Sequence, residues 1–310
     1  VESSFILPPS SFRRCRRVVL LAGVLAVSVL VAPARAYEAV LYEKTSAYST
    51  VVVTDEGGGL RALRFGRNGV RQSLVKLGDP AYLGLPYSRA VLAGLALSRD
   101  PRRMLVVGLG GGTLPAFLRA RYPDAEIDAV EIDPEVAFVA KEYFGFREDE
   151  RMRVHVTDGR KFIEAVRRPY DVIFLDAFGP DSVPAHLTTH EFLTAARRAV
   201  NRRGVVVGNV WNRDYNPLYD SMLRTYREAF DELFVLRVES SGNRILLALP
   251  RREPLTRAEI VRLARVESTA RGFGFDLAAL VDRGFLPGDA GGRDGRVLRD
   301  LPARADERAQ

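Results

Sequence analysis

The chain has 310 residues, 47% of them hydrophobic, enough for one large domain or two modest ones with a real core. Its formal charge of +7 sets 46 Lys and Arg against 39 Asp and Glu. Arg13, Arg14, Arg16, Arg17 and Arg35 carry over half of that excess, and the rest forms no basic block, so nucleic acid is not an expected partner. The single cysteine, Cys15, lies so early that the chain beyond it has no disulfide, thiol nucleophile or Cys-ligated metal.

Residues 1–36 read as a targeting segment. Arg13–Arg17 is a basic region, Val18–Ala32 is apolar, and Ala34-Arg35-Ala36 has the small-x-small form of a cleavage site. The apolar run is shorter than the roughly 20 residues that span a bilayer. The expectation is a signal peptide cleaved after Ala36, or a membrane anchor; a cytoplasmic chain is the alternative.

Residues 37–80 form a β-rich section. Tyr48–Thr54, Leu60–Phe65 and Val70–Val75 are strand-like, and the clusters Asp55–Gly59 and Gly66–Gly69 are turns between them, so a small antiparallel sheet is predicted. Pro86 opens a helical stretch to Leu97, in the first-turn position that tolerates proline.

Residues 81–250 alternate strand and helix. Strands are predicted at 104–108, 126–131, 153–157, 171–176 and 204–211, with helices near 113–121, 134–143, 160–167, 189–200 and 216–229. Such alternation specifies a parallel α/β sheet. Glu232–Glu239 and Asn243–Pro250 then read as two strands joined by Ser240-Ser241-Gly242. A parallel sheet closed by an antiparallel hairpin is the class I S-adenosylmethionine-dependent methyltransferase-like Rossmann fold. Residues 251–285 read as helical, and the Gly-, Asp- and Arg-rich tail from Gly288 is expected to be loosely held.

Within this frame, Met104–Val107 runs into Gly108, Gly110, Gly111 and Gly112, and a helix follows from Thr113. Glycines let backbone approach a ligand, and the following helix presents unpaired N–H groups to it. In open α/β sheets ligands lie beyond the carboxyl ends of the strands. Glu131, Asp133, Asp158 and Asp176 all fall at such ends, with Gly159 directly after Asp158. Glu131 suits the ribose hydroxyls and Asp158 an adenine amino group. Asp133, before Pro134, also has the plain reading of a helix cap. An acidic pocket attracts a sulfonium and repels a pyrophosphate, which favours an adenosylsulfonium over a dinucleotide. Asp176, beside the glycine turn, is placed to take a proton from an attacking amine.

The run GLGGG, VEID, DG and YDVIFLDAF, preceded by a β-rich section and a Tyr87-Ser88-Arg89 helix, resembles the spermidine synthases, or polyamine aminopropyltransferases, over about Tyr42 to Pro250. The divergent bacterial spermidine synthase-like branch, whose members are often joined to membrane segments, is the nearer likeness. The resemblance implies decarboxylated S-adenosylmethionine as co-substrate, a small amine acceptor and a homodimer. It implies Gly108, Gly110 and Gly111 along the donor, with Gly159 beside Asp158, and Asp176 as general base. Tyr87 would line the amine site.

Four departures accompany the likeness. The acid that the family carries in its glycine turn is absent near Gly110. The family's second aspartate after the fourth strand is absent from Asp176-Ala177-Phe178-Gly179-Pro180, leaving Asp181 as the candidate amine ligand. Tyr48-Ser49 stands where the family has Tyr-Gln. Arg89 replaces a family glutamate and is expected to bring positive charge toward the amine. Trp211 and Tyr215 read either as an acceptor wall or as core. His155, His186 and His190 carry no recognisable ligand spacing, and no metal is expected. Two other readings stay open: a methyltransferase using S-adenosylmethionine, and a non-catalytic nucleoside-binding protein.

Overall fold

A computed structural model describes residues 39–179, 183–288 and 291–301. The targeting segment 1–36 and Asp181 lie outside the described residues. Among those described, no helix is long and apolar enough to cross a membrane.

The β-rich section forms a four-stranded antiparallel sheet in chain order: β1 (Ala39–Thr45), β2 (Thr50–Gly57), β3 (Leu60–Phe65) and β4 (Arg71–Lys76). Val51, Val53 and Leu63 are fully buried and pack on Val136, Val139 and Phe144, so this sheet is a wall leaning on the main domain.

The helical stretch predicted from Pro86 divides into α1 (Pro86–Ala90) and a tighter 3₁₀ segment, Val91–Leu97, in which every residue is buried. The main domain alternates as the sequence predicts. Its first half is β5 (Arg103–Val107), α2 (Thr113–Arg121), β6 (Glu126–Glu131), α3 (Pro134–Glu142), β7 (Met152–Val156) and α4 (Gly159–Glu164). Its second half is β8 (Tyr170–Leu175), α5 (His190–Ala199), β9 (Val200–Trp211), α6 (Tyr219–Ala229), β10 (Glu232–Arg237) and β11 (Asn243–Leu249). Beyond these lie α7 (Arg257–Ala270), α8 (Leu277–Gly284) and a two-residue edge strand β12 (Phe285–Leu286), too short to leave a pattern in the sequence.

The large sheet has the order β12-β10-β11-β9-β8-β5-β6-β7. β9, β8, β5, β6 and β7 are parallel; β11, β10 and β12 are antiparallel additions. This is the class I methyltransferase-like arrangement. Its central strands β5 and β8 are covered on both faces, which explains their unbroken apolar runs. One face buries Met104, Val106 and Phe174 beneath α2, α7 and α8. The other buries Leu105 and Ile173 against Phe192 and Leu193 of α5 and Leu223 of α6. Each such large side chain contributes about 2 kcal/mol of transfer free energy.

The described part of the tail, residues 291–301, is docked on the main domain. It runs along α5 and α6. His190 N–H donates to the Leu298 carbonyl at 2.8 Å, and Leu298 N–H donates to Thr225 Oγ1 at 2.9 Å. Asp300 pairs with both terminal nitrogens of Arg160. The first N–H groups of a helix have no partner within it, and the tail supplies one for α5. Composition alone does not register such docking, because backbone rather than side chains makes part of it.

Candidate active site

The glycine turn joins β5 to α2 and is sewn to both neighbouring strands. Gly108 N–H donates to the Val130 carbonyl at 2.8 Å, and Asp176 N–H donates to the Val107 carbonyl at 2.9 Å. Gly108 has φ +101°, and a Cβ there would lie 2.3 Å from the Asp176 carbonyl oxygen. Only glycine fits this left-handed, crowded position, and that fit brings Asp176 against the turn.

A cavity of roughly 370 Å³ opens over the turn, a size that suits a ligand of nucleoside dimensions. Gly108, Gly110, Glu131, Asp158, Gly159, Asp176 and Tyr87 all line it, so one concave surface gathers most of the residues singled out in the sequence. Gly111 is the exception. Its N–H donates to Ser73 Oγ at 2.8 Å, which ties the turn to β4.

Glu131 ends β6 with its carboxylate turned under the turn. One oxygen accepts Leu109 N–H and the other Asp133 N–H, both at 3.0 Å. Burial raises its pKa above the usual carboxylate range, and these N–H groups only partly offset that. Asp133 caps α3 by accepting Glu135 N–H at 2.9 Å and also bonds Ser46, so the plain cap reading is correct and the residue still borders the cavity.

Asp158 caps α4, accepting Lys161 N–H at 3.0 Å, and its other oxygen meets His186 Nε2 at 2.8 Å. Burial pushes its pKa upward, but the Lys161 N–H and His186 outweigh burial and hold it below the usual range. His186 was not singled out for the site in the sequence. It lies 28 residues from Asp158 on the loop after β8, and no periodicity connects the two.

Asp176 follows β8 and is half-buried in the cavity wall. Burial lifts its pKa to about 7 against the opposing hydrogen bonds of Asn209 and Tyr87. Asn209 Nδ2 donates to Asp176 Oδ1 at 2.8 Å. The Tyr87 hydroxyl stands within reach of both Asp176 and the Gln72 carbonyl, 3.3 Å away, and its one proton serves one of them at a time. Asn209, in turn, accepts from Asn243 Nδ2 at 2.9 Å. Sequence reasoning passed over Asn209, although a lone amide in the apolar run VVVGNVW is a usable signal for a polar group held in a core.

Arg89 does not carry charge to this site. Its Nε donates to the Leu83 carbonyl at 2.9 Å and its guanidinium lies over Phe275, so the expected clash with a cationic amine is corrected. Tyr48 and Ser49 line the cavity, as does Gln72 at the start of β4. Phe178 also lines it, with Trp211 packed 5.7 Å from Phe178 and Tyr215 set edge-on to Trp211 at 6.3 Å. Trp211 thus backs the cavity wall.

Two features describe the ligand. Ser49 Oγ and Thr113 Oγ1, both in the wall, are buried without a hydrogen-bond partner. A buried polar atom left so costs free energy that a polar ligand would recover. The wall also carries four carboxylates, Glu131, Asp133, Asp158 and Asp176, and no Lys or Arg among the described residues. Such a surface favours a cation.

A methyltransferase-like sheet bearing this glycine turn and these strand-end carboxylates defines a transferase class that takes adenosylsulfonium donors. Comparison with known proteins narrows it. Residues 86–231 match the model of the spermine/spermidine synthase domain. A polyamine aminopropyltransferase of Vibrio vulnificus is 37% identical over 217 residues, covering 68% of this chain and 72% of that protein. An eEF1A lysine and N-terminal methyltransferase of Mus musculus is also 37% identical, over 219 residues; this covers 64% of the chain but only 31% of that protein. In fold, a probable spermidine synthase from Corynebacterium glutamicum superposes with TM-score 0.66 at 22% identity, covering 84% of this chain and 97% of that one. The chain belongs to the spermine/spermidine synthase family, the polyamine aminopropyltransferases.

Proposed function

We propose that the protein transfers an aminopropyl group from decarboxylated S-adenosylmethionine to a small amine. The observation that carries this is the cavity wall of four carboxylates without a lysine or arginine among the described residues. It accommodates a donor whose sulfonium and terminal ammonium are both positive, and it offers no cation for a donor carboxylate. Glu131 accepts from the ribose hydroxyls and Asp158 from the adenine amino group. The neutral acceptor nitrogen attacks the methylene bound to sulfur. The new C–N bond forms as the C–S bond breaks, the electron pair neutralises the sulfonium to a thioether, and Asp176 takes the proton lost by nitrogen. A base whose pKa is about 7 is well matched to that task near neutral pH. Tyr87 and Asn209 hold the carboxylate in place through their hydrogen bonds.

Calorimetry with S-adenosylmethionine, its decarboxylated form and methylthioadenosine tests the reading. Tighter binding of the decarboxylated donor is expected. Absence of binding by all three would sink it. A second reading, methyl transfer from S-adenosylmethionine, is favoured by the identity to the mouse methyltransferase and by the missing acid near Gly110; preference for the carboxylated donor would select it.

Export or membrane attachment through residues 1–36, in place of a cytoplasmic site, is proposed from their composition. A fusion reporting the side of the membrane on which residue 37 emerges tests it. A homodimer is proposed from the family likeness, with sedimentation as its test.

A further inference from the structure

Asp176 is oriented from outside its own strand. Asn209 lies on β9 and is 3% exposed; Asn243 opens β11 and is 8% exposed. Their hydrogen bonds run in one direction, from Asn243 Nδ2 to Asn209 Oδ1 at 2.9 Å and from Asn209 Nδ2 to Asp176 Oδ1 at 2.8 Å. An asparagine amide has a donor end and an acceptor end, and either can face a given neighbour unless something fixes it. The donor from Asn243 fixes the oxygen of Asn209 on its own side and so turns the amino group toward Asp176. Asn243 is itself held by Ser241, whose hydroxyl bonds its side-chain oxygen and also accepts Asn243 N–H at 3.2 Å.

We infer that Asn243 is a positioning residue for the proposed base: through Asn209 it keeps a hydrogen-bond donor on Asp176 and thereby holds that carboxylate ionised and correctly aimed. This rests on the reading of Asp176 as the base, and it goes further by assigning a role to the β10–β11 hairpin. Without Asn243, the Asn209 amide is free to turn its oxygen toward Asp176, where it accepts the proton of the neutral acid and so favours the protonated form. The charged surroundings of Asp176 are few. Tyr87 from α1 reaches it; Glu131 from β6, Asp133 and Asp158 at the starts of α3 and α4, His186 and Tyr48 line other parts of the cavity; and no Lys or Arg lines it among the described residues.

The test is a carbon-13 NMR titration of the Asp176 carboxylate in the full chain, in the wild type and in Asn243→Leu, which keeps the branched shape and removes both polar atoms. Losing a donor to a charged group is expected to move the Asp176 midpoint upward by about one pH unit. With a turnover assay, the acid limb of kcat/KM shifts by the same amount, while calorimetric binding of methylthioadenosine is unchanged. Asn243→Ser, too short to reach Asn209, shifts the midpoint in the same direction and covers the case in which the leucine variant does not fold. An unmoved midpoint in a folded variant overturns the inference. The titration observes Asp176 directly, so it decides the role of Asn243 even if no amine is aminopropylated and the proposed reaction fails.

Discussion

The two halves of the cavity are built in different ways. The donor half comes from consecutive units: the turn after β5, Glu131 at the end of β6 and Asp158 at the start of α4 succeed one another in the chain. The proposed acceptor half is assembled from distant pieces, with Tyr87 before the large sheet begins and Asp176 after β8, the latter held from behind by Asn209 on β9 and Asn243 on β11. Local βα units repeat a geometry, so their chemistry tolerates change elsewhere. A site gathered from several strands depends on every one of them. On the proposed reading, the departures from the family pattern fall mainly in the half assembled from distant pieces.

The contrast has a sharp kinetic form. Asp176→Asn is expected to lower kcat by about 10²- to 10⁴-fold, the usual range for a lost general base, while methylthioadenosine binding measured by calorimetry stays within two-fold or so. Full turnover in that variant would remove Asp176 from the chemistry. The same substitution has a second, opposite effect. With a folded-state pKa near 7 against an ordinary 3.8, Asp176 is protonated in the folded chain at pH values where the unfolded chain has lost the proton. Its burial therefore costs little below about pH 4, and stability falls as pH rises toward 7, by up to roughly 4 kcal/mol. Urea unfolding at pH 8 should find Asp176→Asn the more stable protein, with the advantage gone near pH 4.

Glu131→Gln probes the other half. Its expected loss is about 10- to 100-fold in donor affinity, the worth of hydrogen bonds to a charged group, with the pH dependence of turnover unmoved. An acid limb that shifted in this variant would show the halves to be electrostatically coupled. The smallest effect belongs to His186→Ala. The His186 side chain is 44% exposed where it meets Asp158, and such pairs contribute about 0.2–1 kcal/mol. Donor affinity should change by less than about five-fold, and a larger loss would mean that the imidazole itself touches the nucleoside.

The same division governs what the sequence reveals. Glycines, strand ends and a closing hairpin are local patterns, and they suffice to bring Gly108, Glu131, Asp158 and Asp176 to one cavity. Side-chain direction is not local. Arg89 lies two residues from Tyr87, yet it turns to Leu83 and Phe275, because the short α1 gives way to a buried 3₁₀ segment and its outer face meets α8. Gly111 looks like Gly110 in the sequence, yet only Gly110 lines the cavity, while the Gly111 N–H is taken by Ser73. The meeting of His186 with Asp158, of Asn209 with Asn243, and of the tail with α5 are all pairings across long sequence separations, which neither composition nor period encodes.

The strand order has a consequence for how the protein is made. β11 is synthesised after β10 but lies between β10 and β9. A nascent chain that has emerged as far as Trp211 already contains all four carboxylates of the cavity wall, but its β9 is still an open edge. Only when Asn243 and the rest of β11 slot in beside β9 does Asn209 acquire its partner. The hydrogen bond that aims the proposed base therefore forms only after all four wall carboxylates have been made.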